Sequence, residues 1–214
     1  MVALAVAMAA GGAAGAAAES LDGLVKTTDG KPVADAVISV VAVSESRPAA
    51  RAGRAIVDQQ DREFVPHVRA ITVGTEVTFP NKDDIRHHVY SFSPTKKFEL
   101  PLFKGTQSAP VKFDKPGVVV LGCNIHDWML GYVVVLETPY FDTTGADGRA
   151  RIADLPPGTY DVHVWHPRLV DGAASASQRV TTVAGKDERV QFVVRLKRDL
   201  RPRRPPAGAE DRYR

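Results

Sequence analysis

The chain is poor in soft sulfur. Among 214 residues there is one cysteine, Cys123, and of three methionines only Met129 lies beyond residue 8. One cysteine cannot close an internal disulfide, so covalent cross-linking of the fold is excluded. Helical periodicity is almost absent, which argues against a bundle. Beyond the first eighteen residues no run approaches the ~18 apolar residues that span a bilayer, so the chain reads as not transmembrane. Ser/His/Asp arrangements, paired carboxylates and Gly-rich phosphate loops do not stand out, and the chain reads as a non-enzyme. Six histidines are too few for a multinuclear oxygen-reducing copper site.

Against this background the two isolated sulfurs fall together, in Gly122-Cys123-Asn124-Ile125-His126-Asp127-Trp128-Met129. The spacing is Cys-x-x-His-x-x-Met: a thiolate, an imidazole and a thioether within seven residues. Soft and borderline donors of this kind suit a trigonal copper site with a weak axial methionine, which needs one more histidine. A zinc site fits less well, because a thioether is a poor zinc ligand. An inert buried cysteine is the plainer reading of Cys123 alone, but an exported free thiol is open to oxidation unless something occupies it. The missing imidazole has two candidates, His87 and His88, after the polar turn that follows Val77-Thr78-Phe79-Pro80-Asn81. Side chains alternate along a strand, so only one of the two faces a given metal, and the pattern alone does not choose.

These two segments resemble the metal-binding segments of the cupredoxins, most of all amicyanin and plastocyanin. The shared pattern is Val-Thr-aromatic, an Asn, a histidine six residues later (Asn81 to His87), and Cys-x-x-His closing the site. The short gap from His126 to Met129 is amicyanin-like. The resemblance implies one type 1 copper held by His87, Cys123, His126 and axial Met129. It also implies a Greek-key β-sandwich and one-electron transfer with a periplasmic redox partner, a dehydrogenase or a cytochrome. The family places Pro before and Asn after its first histidine; here Arg86 and His88 stand there. In the family the electron leaves through the loop histidine, here His126, beside an apolar patch; Trp128 with Leu130, or Leu100–Phe103, are the segments that would supply it.

Valine-rich runs separated by turn residues recur at 37–41, 70–73, 118–121, 132–136, 160–165 and 190–194, and predict an all-β fold. A short helix is the one other element expected, between 92 and 110. Asp147-Gly148 reads as a hairpin turn and Pro157-Gly158 as a turn. The segment Thr144–Val162 resembles the carboxypeptidase regulatory-like (transthyretin-like) sandwich. The opening strand–turn–strand of that family has its counterpart at Gly23–Ile38, around Asp29-Gly30-Lys31-Pro32. The expected organisation is therefore nested: 20–47 and 138–197 as a regulatory-like sandwich, with a cupredoxin domain over 50–137 inserted in it. Residues 1–18, apolar and then Ala/Gly-rich with Ala16-x-Ala18, read as a signal peptide, which places the mature protein in the periplasm or outside the cell.

Residues 198–214 read as a disordered basic tail. From Arg195 onward eight Lys/Arg stand against three Asp/Glu, so the net +3 conceals −2 over the rest of the chain. Nucleic acid is not expected as a partner, and a monomer is. His67, His163 and His166 read as structural. Two other functions fit the same residues: copper delivery without electron shuttling, and an envelope interaction module without redox chemistry.

Overall fold

The computed structural model describes residues 19–44, 50–105, 109–170 and 177–202; the expected signal peptide and residues 203–214 of the expected tail lie outside them. Among the described residues all regular structure is β, in keeping with the expected all-β fold, and no helix is long and apolar enough to cross a membrane.

In chain order the strands begin with β1 (Glu19–Thr27) and β2 (Val37–Ala42). Next come β3 (Arg54–Ile56), β4 (Asp58–Gln60), β5 (Glu63–Val65), β6 (Val68–Thr72) and β7 (Glu76–Thr78). The middle of the chain holds β8 (His87–Ser93), β9 (Lys96–Phe103), β10 (Val111–Lys112), β11 (Gly117–Gly122) and β12 (Leu130–Leu136). The last five are β13 (Phe141–Thr143), β14 (Arg149–Leu155), β15 (Gly158–Trp165), β16 (Ser177–Thr182) and β17 (Glu188–Val194).

Strands from the two ends of the chain share sheets. β1 lies between β14 and β17, and β2 lies between β13 and β15, with β16 beyond. Leu21, Val25, Ile38, Val40, Val162 and Phe192 fill the space between these two layers. The central strands build a second sandwich. Its five-stranded sheet runs β6-β12-β11-β8-β9, and its small sheet runs β10-β7-β3. Phe64, Val77, Phe79, Phe113, Leu121 and Val133 fill its core, and Cys123 and Met129 belong to the same cluster.

The unbroken valine run of β12 has a physical cause. Val133 and Val135 face the second core, while Val134 packs with Val37 and Val68 in a small cluster joined by Tyr132 and Trp165. A strand covered on both faces has no polar side to alternate with. Trp165 belongs to β15, so this cluster ties the two sandwiches together.

Two local expectations are overturned. Where a helix was expected over 92–110, residues 92–103 belong to the hairpin β8–β9, closed by Pro94-Thr95 with Ser93 paired to Lys96, and residues 106–108 lie outside the described ones. Within β9, Leu100 is buried while its neighbours Glu99 and Pro101 are exposed, a period of two that helix formation would scramble. Asp147-Gly148 does not close a hairpin either. β13 and β14 lie in opposite sheets, and the turn carries the chain between them. Gly148 has φ +73°, and a Cβ there would meet the Val25 carbonyl oxygen at 2.5 Å. The turn is closed locally by the Gly145 N–H donating to the Arg149 carbonyl at 3.0 Å, but the Gly148 carbonyl accepts the Val25 N–H at 2.8 Å, so the turn docks on β1 and the strands it joins stay in separate sheets. The chain beyond β17 also stays attached at first: the Lys197 N–H donates to the Arg168 carbonyl at 2.6 Å, and Arg201 pairs with Asp199 at 2.7 Å.

Candidate metal centre

One end of the central sandwich gathers the residues singled out above. β11 ends at Gly122, and the chain turns through Cys123–Met129 before β12 begins. The Met129 N–H donates to the His126 carbonyl at 3.0 Å, a tight turn that returns the chain to the sheet. β8, hydrogen-bonded beside β11, opens with His87. Cys-x-x-His is thus set by one local turn, whereas His87 arrives from a neighbouring strand.

The donor atoms converge. Cys123 Sγ lies 3.7 Å from His126 Nδ1 and 4.0 Å from His87 Nδ1, and one ligand atom of each residue lies within 4.8 Å of the other two. The imidazole rings are 5.0 Å apart, centroid to centroid. A first-row ion with nitrogen ligands at about 2.0 Å and sulfur at about 2.3 Å needs N···S separations of about 3.8 Å when three ligands spread trigonally. The pocket has these spacings. All three residues are buried, His87 completely and His126 at 9% exposure. Met129 is buried in the same cluster.

Strand alternation separates the two adjacent histidines. His87 turns inward to Cys123, while His88 turns to the other side, where its Nε2 meets Glu99 Oε1 at 2.8 Å and its ring neighbours Tyr90. The geometry therefore brings together His87, Cys123 and His126 and leaves His88 out. His67 bonds the Leu130 carbonyl through Nδ1 at 3.0 Å, and His166 Nδ1 accepts the Arg168 N–H at 3.2 Å. Burial lowers the pKa of both, that of His166 to about 4, so each is a neutral structural group. Near the pocket mouth Trp128 stacks obliquely on His126, ring centroids 5.1 Å apart. Ile125 is exposed on the loop, while of the Leu100–Phe103 segment Leu100 is core and Leu102 is exposed.

A scaffold around His87 was not visible in the sequence pattern. Asn81 is buried, and its amide donates to the carbonyls of Ile85 (2.8 Å) and Phe103 (2.9 Å), while its Oδ1 accepts the Asp83 N–H (2.9 Å). Asp83 then accepts from His87 Nε2 at 2.7 Å. A carboxylate accepts, so the ring proton sits on Nε2 and the Nδ1 lone pair faces the sulfur. The other partners of Asp83 are the backbone N–H groups of Asp61 (2.7 Å) and Arg62 (2.8 Å). Partial burial alone would raise the Asp83 pKa, but the Arg62 N–H, the His87 hydrogen bond and the Asp61 N–H outweigh it, and the net shift is downward. The only sequence hint was an aspartate four residues before a histidine, in a Lys-Asp-Asp turn that otherwise reads as solvated.

A buried His₂Cys cluster at one end of a β-sandwich has the donor set of a mononuclear soft-metal pocket. The chain is 37% identical over 73 residues to amicyanin-alpha of Methylorubrum extorquens, a match that covers 33% of this chain and 60% of that protein. It therefore spans less than two thirds of the curated relative, and the likeness establishes a relationship to amicyanin-like cupredoxins over that part of the chain. Among solved structures, an oxidised single-site variant of amicyanin is 28% identical with a TM-score of 0.36, covering 46% of this chain and 99% of that one. A copper-containing nitrite reductase from Thermus scotoductus is 28% identical with a TM-score of 0.38, covering 45% and 25%. No protein-family model matches the chain.

Proposed function

We propose that this protein is a one-electron carrier with a single type 1 copper, which His87 Nδ1, Cys123 Sγ and His126 Nδ1 would hold, with the Met129 thioether as a fourth, weaker ligand. The observation that carries the reading is the mutual spacing of the three donor atoms, two nitrogens at 3.7 and 4.0 Å from one sulfur. Bound copper supplies a redox couple that cycles between Cu(II) and Cu(I). The protein supplies a site that need not rearrange between them: thiolate and thioether suit the reduced ion, imidazole and thiolate the oxidised one. Two donors sit on one turn and the third on the adjacent strand, so the sheet holds the ligand positions in both states.

The reading is of a carrier and not an enzyme. All donors are buried, and the exit for an electron is the edge of His126 beside Trp128 and Ile125. A small encounter surface there is enough for a transient redox contact. The partner would be a periplasmic dehydrogenase or cytochrome, in keeping with the amicyanin likeness and the signal-like N-terminus. The sandwich built from the chain ends is read as a carboxypeptidase regulatory-like module into which the copper domain is inserted, serving structure or docking. The pairing of β1 with β14 and β17 and of β2 with β13 and β15 supports that nested reading.

The test is an optical spectrum of the chain from residue 19 onward after loading with Cu(II) and removing excess. An intense thiolate-to-copper band is expected, absent in Cys123→Ser, altered or lost in His87→Ala and retained in His88→Ala. A colourless protein with a reactive thiol would sink the proposal. Weak colour with easily exchanged copper would instead favour copper delivery.

A further inference from the structure

Resting on the copper reading, we infer that Asp83 is the residue that sets the redox balance of the site, as a fixed negative charge on the far side of the His87 ring. Its Oδ2 lies 2.7 Å from His87 Nε2, so the chain of contacts runs carboxylate, imidazole, metal position. Carboxylates in this relation to a ligating histidine orient the ring and raise its basicity. A more basic imidazole and a nearby negative charge both favour the ion of higher positive charge. Asp83 therefore stabilises the oxidised site over the reduced one and lowers its reduction potential.

The surroundings show that this carboxylate is held, not incidental. Strands β4 and β5 pair Gln60 with Glu63, leaving Asp61-Arg62 as a two-residue turn. Both turn residues have positive φ, 54° and 59°. Such a turn normally calls for Asn-Gly or Asp-Gly, and an arginine there is unusual. In this conformation the two consecutive N–H groups point the same way, and both bond the Asp83 carboxylate, Asp61 to Oδ1 and Arg62 to Oδ2. The loop carrying Asp83 is in turn sewn to β4: the Gln59 N–H donates to the Pro80 carbonyl and the Lys82 N–H to the Gln59 carbonyl, each at 2.8 Å. Unfavourable backbone that persists because its surroundings dictate it is a recurrent mark of functional positions. Here the strained turn aims two donors at a carboxylate that touches a donor residue of the pocket. Asp83 is thus a positioning residue: it acts through His87 and does not reach the pocket itself.

A neighbouring residue provides the control. Asp84 carries the same charge but is fully exposed and pairs with Lys104 at 3.3 Å across the surface. Removing either charge changes the net charge equally; only Asp83 touches the ring.

The experiment is protein-film or solution voltammetry of the copper-loaded protein, with Asp83→Asn and Asp84→Asn beside the native chain. Asp83→Asn is expected to shift the preference for Cu(II) over Cu(I) at least tenfold, which raises the potential by about 59 mV. Its Cu(II) affinity should fall roughly 10- to 100-fold. Asp84→Asn should leave both unchanged. In the copper-free protein, the nitrogen-bound ring proton of His87 should be resolved and slowly exchanging by NMR, and lost in Asp83→Ala. If the native protein shows the type 1 band but Asp83→Asn shifts the potential no more than Asp84→Asn, this inference is overturned and the copper reading stands. A native protein without the band overturns both.

Discussion

Replacing Asn81 with alanine removes three hydrogen bonds at once without touching any donor residue of the pocket. The lost bonds are those to the carbonyls of Ile85 and Phe103 and from the N–H of Asp83, at 2.8, 2.9 and 2.9 Å. A hydrogen bond contributes about 0.5–1.5 kcal/mol net, and a buried partner left without one costs about 1–3 kcal/mol. Asn81 itself is buried, but Ile85, Phe103 and Asp83 are only half-buried, so water can reach part of what is exposed. About 1 kcal/mol for each bond is then reasonable, or about 3 kcal/mol in all. That is a large share of the roughly 5–15 kcal/mol that stabilises a domain. Urea unfolding of the copper-free protein, followed by tryptophan fluorescence, should show the midpoint falling by about 1.5 M for a slope near 2 kcal/mol/M. The loss should also reach the pocket. Phe103 pairs with His87 across β8 and β9, and Asp83 bonds its ring, so the copper-loaded variant should show a shifted or broadened visible band. A loss below about 1 kcal/mol, with an unchanged spectrum, would refute the view that Asn81 holds the His87 loop in place.

Two glycines should respond differently to alanine. At Gly131 a Cβ would lie 2.8 Å from the Cβ of buried Phe64, which cannot swing away, so a cost of about 1–3 kcal/mol is expected. At Gly122 the obstacle is the ring of Tyr90, at 2.7 Å; this ring is half-buried and can rotate outward, so Gly122→Ala should melt closer to the native protein. Thermal melts, at about 2–4 °C per kcal/mol, decide the order, and equal costs would contradict it. His166 predicts an acid-sensitive fold. Burial first, then Arg168 and His67, lower its pKa from 6.5 to about 4, with Asp199 opposing. Between pH 6.5 and 4 the unfolded chain therefore holds more protons on this group, so stability rises with pH across that window and falls on acidification. The contribution is at most about 3 kcal/mol. His166→Gln should flatten the dependence of unfolding free energy on pH there, and an unchanged slope would count against the assignment. Copper at a thousandfold excess over its dissociation constant should stabilise the native chain by about 4 kcal/mol. The gain should be reversed by a chelator and missing in Cys123→Ser; a gain that survives in that variant would mean the metal binds elsewhere.

Much of this molecule could be read in advance where the controlling interactions are local. Valine runs bounded by turns announce strands, because β-branched residues crowd a helix and fill a pleated sheet. The run in β12 was legible as a strand, although only the fold shows that Val133 and Val134 serve two different clusters. The segment after Ser93 misled because Phe98, Leu100 and the charged residues between them form too short a pattern to separate period two from period 3.6. Asp147-Gly148 misled for another reason. Its turn chemistry is sound, but whether a turn pairs its flanks or hands the chain to a facing sheet depends on the partner waiting there, here Val25.

The sequence by itself determined the chemistry of the pocket's loop. Cys123 and His126 are three residues apart, and covalent geometry with one turn brings their side chains together in nearly any fold that continues into β12. Tertiary structure decided everything that depends on strand phase and on distant segments. It turned His87 toward Cys123 and His88 toward Glu99, because neighbours on a strand face opposite ways and only the register with β11 says which way is inward. It also drew Asp83 into contact with His87, through a turn at residues 61 and 62 that no local pattern links to the site. The contacts of Cys123 with His87 and of Asp83 with residues 61 and 62 join segments some twenty to forty residues apart, and whether they form is settled by packing in the folded chain, which local spacing does not encode.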